Sequence, residues 1–309
     1  MNQPKKQNKR CGFVAVVGAP NAGKSTLVNA LTGAKISIVT PKAQTTRNRI
    51  RGIKIHDNTQ IIFVDTPGIF KIKGKLDNRL NRSIVATARN AFEGTDFIML
   101  IIDSAKKLSE NDHEVINFLK DQPVQKILVL NKIDIIEKEK LLELSQHLHS
   151  LLDFKTVFMI SAVKKNGLDA MLDYLSHNLP QGEFLYPADE VTDFPARLLA
   201  ADVTREKLFM NLREEIPYNT MVETEKYDEG KNDIKIHQSI YTISETHKKM
   251  IIGTQASLIK KIGEQSRREL SKILGKKVHI FLHVKVRDNW MDNRDTYVTS
   301  GIDYAKDND

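Results

Sequence analysis

The sequence predicts an α/β domain, with a mostly parallel sheet wrapped by helices, followed by a smaller α+β domain. Three observations support this prediction: a length of 309 residues, an alternation of apolar and amphipathic stretches in the first half, and a change of pattern after residues 179–190. A chain of this length exceeds one typical domain. Strands that are apolar throughout are typical of a parallel sheet covered on both faces, and the alternation indicates βαβ units.

The first half contains five apolar runs that we predict to be strands. They cover residues 13–18, 61–66, 97–103, 126–132 and 156–162. Between them, the stretches at 111–120 and 137–152 carry apolar residues at helical spacing. Because strands and helices alternate along the chain, we expect neighbouring strands to be parallel.

The second half follows a different order. A helix at 194–215, two alternating strands at 219–227 and 233–244, a helix-loop-helix at 248–275 and a last strand at 276–287 are predicted. The stretch DEGKN between the two alternating strands is typical of a hairpin turn. The predicted boundaries are a first domain at 1–180, a linker at 181–195, a second domain at 196–290 and a polar tail at 291–309, whose last residues, DYAKDND, we expect to be disordered.

Composition restricts the classes of function. The net charge is +8 and the pI is about 9.3, which favours a polyanionic partner, either RNA or an anionic membrane surface, although solubility alone explains the charge equally well. The longest apolar run, at 97–102, is too short to span a bilayer. The N-terminus is basic and polar, unlike a secretory signal, and the single cysteine, Cys11, excludes an intrachain disulfide. Both features fit a reducing cytoplasm.

The stretch GAPNAGKS lies between the first predicted strand and a predicted helix. Its residues are Gly18, Ala19, Pro20, Asn21, Ala22, Gly23, Lys24 and Ser25. A strand, a G-x-x-x-x-G-K-S loop and a helix are the context of a phosphate-binding loop, whose backbone N–H groups and helix N-terminus face phosphate oxygens. Lys24 then places a positive charge on the β and γ phosphates, and the Ser25 hydroxyl reaches Mg²⁺.

A second motif ends the strand predicted at 61–66. It consists of Asp65, Thr66, Pro67 and Gly68. Asp65 can hold Mg²⁺ through water, and the backbone N–H of Gly68 can sense a γ phosphate. Asp-x-Pro-Gly is also a generic turn, so the position after an apolar strand favours the functional interpretation.

A third motif, NKID at 131–134, ends the strand predicted at 126–132 and predicts guanine specificity. The Asp134 carboxylate can accept hydrogen bonds from the guanine N1–H and exocyclic amine, and such charge-assisted bonds contribute about 1.5–3 kcal/mol each. Adenine offers no such pair of donors. The base site is completed by Asn131, by Lys132, which can lie along the ring, and by Ser161 and Ala162, which end the next strand and can offer a backbone N–H to the guanine carbonyl.

GAPNAGKS, DTPG and NKID together resemble the motifs of TRAFAC-type GTPases. The resemblance implies a P-loop GTPase domain that binds GTP or GDP with Mg²⁺. It also implies that Thr45 and Thr46, in a Q-T-T-R pattern, are switch threonines, of which we expect Thr46 to contact Mg²⁺ in the GTP state. Many small GTPases have a water-orienting glutamine where this chain has Ile69, so we expect slow intrinsic hydrolysis.

Asn21 stands where related GTPases coordinate K⁺ in place of an arginine finger. This resemblance implies that K⁺ accelerates hydrolysis through Asn21. The alternative is that Asn21 only supports the turn of the loop, and the sequence favours neither interpretation.

The second half combines a basic segment with a glycine loop. Between His247 and Asn289 there are eleven basic and three acidic residues, which predicts a face for a polyanion. The stretch IIGTQASLIKKIG at 251–263, with the predicted order of elements, resembles a type II KH domain, whose loop clamps about four nucleotides. The implied RNA-binding residues are Ile252, Gly253, Thr254, Gln255, Ala256, Lys260, Lys261, Arg267 and Arg268.

Ala256 departs from the KH pattern, which usually has a second glycine at this position. If the position needs a positive φ, alanine costs about 1–2 kcal/mol. If it is the first residue of the following helix, alanine fits well.

Nearly the whole chain resembles the Era family of GTPases, on AQTTRNRI, VDTPGI, NKID, IIG…LIKKIG, KKVHIFLHVKV and DNW. The resemblance implies a GTP-hydrolysing, RNA-binding switch of small ribosomal subunit assembly that binds the 3′ end of the small-subunit rRNA. It implies a cytoplasmic protein with peripheral membrane association, and the sequence indicates no obligate protein partner.

Two other functions remain open. A membrane-surface G protein that docks on anionic lipid is disfavoured, because no amphipathic anchor or lipidation signal is evident. A P-loop kinase or ATPase acting on a small molecule is disfavoured by NKID.

Overall fold

The computed structural model describes residues 9–42, 45–69, 78–287, 289–302 and 304. Contacts divide the chain into two units. The first comprises Met1–Ser37, Thr46–Asp77 and Ile84–Asp193, and the second comprises Ile38–Thr45, Asn78–Ser83 and Phe194–Asp309. From Phe194 onward all residues belong to the second unit, and this boundary lies within the stretch predicted as a linker.

The first unit is built on a six-stranded sheet. Its strands are β1 (Arg10–Val17), β2 (Ile50–His56), β3 (Thr59–Asp65), β4 (Phe97–Asp103), β5 (Gln125–Asn131) and β6 (Thr156–Met159). They lie in the order β2-β3-β1-β4-β5-β6, and all neighbours are parallel except β2, which is antiparallel to β3. Strands β1, β3, β4 and β5 are mostly buried, as their apolar sequences predict. The predicted, mostly parallel sheet is confirmed.

Strand β2 is not among the predicted strands. It forms a hairpin with β3 through Asp57 and Asn58, and Asp57 has a φ of 50°. Gly52 allows close packing, because a Cβ there would lie 2.7–2.9 Å from side chains that precede the strand. The outer edge of β2 is covered where the Ile53 N–H donates to the Val191 carbonyl at 2.9 Å.

Helices cover this sheet on both sides. Those described in the first half of the chain are α1 (Lys24–Thr32), α2 (Arg79–Asn90), α3 (Glu110–Lys120), α4 (Lys138–Leu151) and α5 (Leu168–Asn178). Helix α3 begins with a capping box, in which the Ser109 hydroxyl accepts from the Asp112 N–H and the Asp112 carboxylate accepts from the Ser109 N–H. Leu119 of α3 and Leu148 of α4 pack with Leu100 of β4 in the core.

The second unit contains the predicted helix-strand-strand-helix-helix-strand order. Its elements are α6 (Ala196–Asn211), β7 (Thr220–Glu229), β8 (Asp233–Thr242), α7 (Glu245–Ile252), α8 (Ser257–Leu274) and β9 (Lys277–Val286). The sheet order is β7-β8-β9, with β7 antiparallel and β9 parallel to β8. Val203 of α6 and Leu270 of α8 pack on Ile236 and Val278 of the sheet. This is the predicted KH arrangement.

Packed structure continues beyond residue 290, where we predicted a polar tail. A 3₁₀ turn at Trp290–Asp292 leads to α9 (Arg294–Ser300). Trp290 and Tyr297 are fully buried and Ile302 is 4% exposed. These apolar side chains, which are widely spaced among polar ones, explain why the stretch packs despite its polar composition. The expected disorder of DYAKDND concerns residues that, apart from Tyr304, lie outside the described part of the chain.

Candidate nucleotide site and nucleic-acid interface

The predicted phosphate loop connects β1 to the first turn of α1. Two of its glycines have backbone conformations and surroundings that exclude a side chain. Gly18 has a φ of 156°, and a Cβ there would lie 2.4 Å from the Ile101 carbonyl oxygen. Gly23 has a φ of 104°, and a Cβ there would lie 2.2 Å from Asn131 Nδ2. The loop is therefore closed tightly against the ends of β4 and β5, and the first backbone N–H groups of α1 lie beside it.

Lys24 is buried and folds back over the phosphate loop. Its Nζ donates to the carbonyls of Gly18 and Ala19, both at 2.9 Å. Burial lowers the pKa of Lys24 to about 8, while the negative charges of Asp65 and Asp112 oppose the shift. A buried cation whose acceptors among the described residues are neutral carbonyls is electrostatically suited to a phosphate.

Ser25, Thr46 and Asp65 provide oxygen ligands at one place. The hydroxyls of Ser25 and Thr46 lie 2.8 Å apart. Neither carboxylate oxygen of the fully buried Asp65 has a hydrogen-bond partner of normal geometry among the described residues. Burial raises the pKa of Asp65, and the nearby hydroxyls of Ser25 and Ser37 and the charge of Lys24 lower it in part. Hydroxyl and carboxylate oxygens are the ligands that Mg²⁺ prefers, so this donor set fits that ion.

The two candidate switch threonines have different surroundings. Thr46 lies beside Ser25, whereas the Thr45 hydroxyl contacts Thr40 Oγ1 at 2.6 Å and donates to the Lys42 carbonyl at 2.8 Å. Of the pair, Thr46 is therefore the one that the structure places with the oxygen cluster.

The DTPG segment follows β3 and packs against the phosphate loop. The Thr66 hydroxyl donates to the Val16 carbonyl at 2.8 Å, and a Cβ on Gly68 would lie 3.0 Å from the backbone nitrogen of Pro20. Ile69 is fully buried in the core with Ala15. A buried aliphatic side chain cannot orient an attacking water, which is consistent with the expected slow hydrolysis.

The NKID segment is linked to the phosphate loop and to the end of β6. The Asn131 side chain donates to the Ala22 carbonyl at 3.0 Å and accepts from the backbone N–H groups of Lys132 and Ala162 at 2.8 and 3.1 Å. The Asp134 carboxylate is exposed, and the neighbouring Ser161 hydroxyl holds its pKa below the usual value. The five predicted base-site residues thus meet beside the phosphate loop, with an ionised carboxylate facing outward.

In the second unit, the loop between α7 and α8 has an unusual backbone. Gly253 has a φ of 75°, and a Cβ there would lie 2.8 Å from Leu258 Cβ. Gln255 and Ala256 also have positive φ values, of 50° and 59°, and α8 begins at Ser257. Of the two alternatives for residue 256, the structure therefore shows the one with a positive φ, which favours glycine. Alanine at this position costs about 1–2 kcal/mol.

A groove of about 550 Å³ lies between α8 and the edge strand β9. It is lined by Ile259, Lys260, Gly263, Glu264, Arg267, Ile280, Phe281, Leu282 and His283. Of the predicted RNA-binding residues, Lys260 and Arg267 line it. Lys261 and Arg268 are exposed on the same helix but are not among the lining residues, and Arg268 pairs with Glu264 at 2.6 Å. Ile252 and Thr254 lie in and after the last turn of α7, at the loop.

The groove includes an aromatic residue that the sequence analysis did not single out. Phe281 is 46% exposed and stacks on His237 with ring centroids 4.6 Å apart and an interplanar angle of 18°. An alternating strand gives no signal for this pair, because the two residues are neighbours only through the parallel register of β8 and β9.

Two segments from the first half of the sequence pack within the second unit. In the first, residues 38–45, the Val39 N–H donates to Glu206 Oε1 at 2.9 Å, and the Thr45 carbonyl accepts from Arg205. In the second, residues 78–83, Arg79 lies over the ring of Tyr304, with 4.9 Å to the centroid.

The two residues of α6 that hold residues 38–45 are themselves buried. Arg205 pairs with Asp202 at 2.6 Å, and Glu206 pairs with Lys207 at 2.7 Å. Lys207 also pairs with Glu269 of α8.

Comparisons with known proteins match a different family model to each of the two units. One family model, described as a 50S ribosome-binding GTPase, matches residues 13–132, and another, described as a KH domain, matches residues 215–291. GTPase Era of Sinorhizobium medicae (strain WSM419) is 47% identical over 298 residues, 96% of this chain and 95% of that protein. GTPase Era of Brucella suis biovar 1 (strain 1330) is 46% identical over 296 residues, 96% and 94% of the two chains. The chain belongs to the Era family of GTPases.

Solved structures of the family agree in fold. Era in complex with MgGDPNP and nucleotides 1506–1542 of 16S ribosomal RNA is 39% identical, with a TM-score of 0.89, and the match covers 96% of this chain and 100% of that one. A variant of Aquifex aeolicus Era bound to GDP and AlF₄⁻ gives the same values.

Family membership makes the chain a GTP-hydrolysing enzyme with a KH domain, an RNA-binding module. The predicted family, fold and enzyme class are confirmed. The comparisons give no support to membrane docking or to potassium as a cofactor. In the part of the chain that the structure describes, no helix is both long and apolar enough to cross a bilayer.

Proposed function

We propose that the chain is a GTP-dependent, RNA-binding switch in small ribosomal subunit assembly, and that its KH groove binds the 3′ end of the small-subunit rRNA. The observation that carries the proposal is the likeness, over 96% of the chain, to Era in complex with MgGDPNP and a 16S rRNA segment. The groove between α8 and β9 and the cluster around the phosphate loop are the two matching sites in this chain.

The nucleotide binds with its phosphates over the backbone N–H groups of residues 18–25. Lys24 leaves the two carbonyls that it now contacts and pairs with the phosphates. Ser25 and Thr46 would hold Mg²⁺ directly and Asp65 would hold it through water, and the ion would supply positive charge to the β and γ phosphates. The Gly68 N–H would face the γ phosphate. This assignment is supported by the buried carboxylate of Asp65, whose oxygens accept no hydrogen bond of normal geometry from the residues that the structure describes.

The guanine base binds against Lys132 and Asp134. Asp134 is exposed and its pKa is lowered, first by the Ser161 hydroxyl, so an ionised carboxylate faces outward and can accept from the guanine N1–H and amine. The Ala162 N–H, which donates to Asn131 Oδ1 at 3.1 Å in this structure, would turn to or be shared with the guanine carbonyl when the base binds.

Hydrolysis is slow without assistance because Ile69 is buried and apolar. We infer that K⁺ assists through Asn21, which has a φ of 65°. The test compares GTPase rates in KCl and NaCl at equal ionic strength for the wild type and Asn21→Gly, which tolerates the positive φ but removes the side chain. A rate several-fold higher in KCl, lost in the variant, supports the role. Equal rates in the two salts, or an unchanged KCl preference in the variant, contradict it.

RNA binds in the groove of the second unit. Lys260 and Arg267 line the groove from α8 and supply charge for phosphates, and Phe281 offers an exposed ring, backed by His237, on which a base can stack. Glycine at 253 lets the RNA backbone approach the loop, and Ala256 narrows that approach by one methyl group.

The two sites are coupled through the segment that contains both threonines. Thr46 lies beside Ser25 in the first unit, and Thr45, the preceding residue, is held by Arg205 in the second. Movement of residues 40–49 between GDP and GTP states would therefore reach helix α6, and we expect residues 68–82 to move in the same transition. Residues 43–44 and 70–77 of these segments lie outside the described part of the chain.

RNA binding tests the proposal. A labelled RNA with the 3′-terminal sequence of 16S rRNA is titrated by fluorescence anisotropy, with a scrambled RNA as control, in the presence of GDP or GDPNP. We expect preference for the native sequence, different affinities with the two nucleotides, and a log K that falls with log salt. Equal affinities with GDP and GDPNP contradict the switch, and a flat salt dependence contradicts phosphate contacts.

A matched pair of variants locates the RNA. Lys260→Ala, in the groove, should weaken binding and reduce the salt slope by about one. Lys261→Ala removes the same charge from the next residue, outside the groove lining, and should have a smaller effect. An equal effect of both substitutions contradicts binding in the groove.

A further inference from the structure

Asp103 ends β4 beside the proposed guanine site, although it belongs to none of the motifs. It pairs in register with Asn131, and its side chain is 13% exposed. One carboxylate oxygen, Oδ2, lies 2.6 Å from Lys132 Nζ. The other, Oδ1, accepts from the Ala105 backbone N–H at 3.2 Å, and the adjacent Ser104 N–H donates to the Asn131 carbonyl at 3.0 Å. The carboxylate is therefore fixed to the backbone at the end of the strand.

Lys132 extends across the site between two acceptors. Its Nζ donates to Asp103 Oδ2 and to the Asn21 carbonyl at 3.1 Å, and its backbone has a φ of 68°. The side chain thus connects the end of β5 to the phosphate loop, and its methylene groups span the distance between them. A free lysine side chain loses rotamer entropy when it is ordered. An ammonium group held by a carboxylate before the ligand arrives has already lost this freedom.

We propose that Asp103 is a positioning residue for the guanine base, which acts by holding Lys132 extended as the flat surface on which the ring lies. This inference rests on the proposed guanine site. Asp103 itself does not touch the base. Without its charge, the Lys132 ammonium keeps one neutral acceptor and gains freedom to turn toward solvent, since 30% of its side chain is exposed.

A second lysine near Asp103 provides a control. Lys106 Nζ lies 3.8 Å from the same oxygen, at the distance limit of an ion pair, and its side chain is 72% exposed. Lys106 does not reach the phosphate loop in the described contacts. Lys106→Ala therefore removes a cation from Asp103 without affecting the extension of Lys132.

The test is a double-mutant cycle on full-length protein. Asp103→Asn keeps the shape and an oxygen acceptor for the Ala105 N–H, and Lys132→Met keeps the apolar stem without the ammonium group. Dissociation constants are measured by displacement of a fluorescent GDP analogue. We expect Asp103→Asn to raise the Kd for GDP about 5- to 30-fold, with kcat at saturating GTP unchanged. We expect no effect of Lys106→Ala, and no further effect of Asp103→Asn in the Lys132→Met background.

Each outcome decides one question. A wild-type Kd in Asp103→Asn, or the same fold-loss with and without the Lys132 ammonium, overturns the positioning role. A loss of kcat equal to the loss of kcat/KM also overturns it, because the residue would then act on phosphate chemistry. If the wild type binds ADP as tightly as GDP, the proposed guanine site fails instead, whatever the variants do.

Discussion

Replacement of Glu206 by alanine tests whether α6 holds residues 38–45 in the second unit. The Glu206 side chain is 1% exposed, accepts from the Val39 N–H at 2.9 Å and pairs with Lys207 at 2.7 Å. A buried N–H left without an acceptor costs about 1–3 kcal/mol. Val39 is 36% exposed, so water can reach part of this site and the lower half of that range applies.

Loss of the Glu206–Lys207 ion pair should add less to the destabilisation than the loss of one partner of a buried ion pair usually does. Removal of one partner of such a pair typically costs about 3–5 kcal/mol, because the other charge is left alone. Here Lys207 keeps Glu269 as a second partner. We therefore expect Glu206→Ala to destabilise the second unit by about 2–3 kcal/mol. Glu206→Gln, which keeps an oxygen acceptor for Val39, should cost about half as much.

Hydrogen exchange at the Val39 amide is the decisive assay, because a chain with two units need not unfold in one step. Loss of about 2 kcal/mol locally should accelerate exchange of this amide roughly 30-fold. Glu137→Ala, which removes an exposed carboxylate paired with Lys140 in α4, should leave it unchanged. Undiminished protection of Val39 in Glu206→Ala would refute the anchoring of residues 38–45 by this carboxylate.

Three further predictions concern single residues. Asp134→Asn should lower GDP affinity by about 100-fold or more. The variant should favour xanthosine diphosphate, because the 2-oxo group of xanthine accepts a hydrogen bond where the guanine amine donates one. Competition binding with both nucleotides checks this, and an unchanged preference for GDP contradicts it. Because the pKa of Lys24 is about 8 before phosphate binds and higher afterwards, binding should take up a proton above pH 8. GDP affinity should then be constant below about pH 7 and fall toward pH 9.5, as calorimetry in buffers of different ionisation enthalpy can measure; a flat profile excludes this titration. Ala256→Gly should stabilise the second unit by about 1 kcal/mol, since the φ of 59° favours glycine, and a lower urea midpoint would contradict this.

The clustering of the candidate nucleotide-site residues was largely predictable because their motifs follow buried strands. Asp65 and Asn131 end β3 and β5, and parallel strands bring their carboxyl ends to one edge of the sheet. The sequence therefore located the cluster without distances. It did not identify Asp103, which also ends a strand, because an acidic residue outside a motif gives no local sign of its partner.

Features that depend on long-range contacts were not predictable. Strand β2 is an edge strand with mixed burial, and its Gly52 is explained only by the side chains that pack against it. Only the observed φ of Ala256 distinguishes a positive-φ loop residue from the first residue of the following helix. The membership of residues 38–45 in the second unit depends on Glu206, more than 160 residues away, which no periodicity reveals.

The attachment of the two adjacent threonines to different units has a thermodynamic consequence. The Thr45 carbonyl accepts from Arg205, whose charge is compensated by the buried Asp202, so a shift of Thr45 separates a buried donor from its acceptor. A nucleotide that moves Thr46 must supply that free energy through its own differential binding to the two states. Such coupling is reciprocal. If replacing GDP by GTP changes the affinity for RNA by a given factor, then RNA that favours one position of α6 must change the affinity for GTP relative to GDP by the same factor. Two ratios measured independently, of RNA affinities and of nucleotide affinities, must therefore agree whichever residues transmit the switch. Unequal ratios would show that one of the two equilibria includes a step that the other does not.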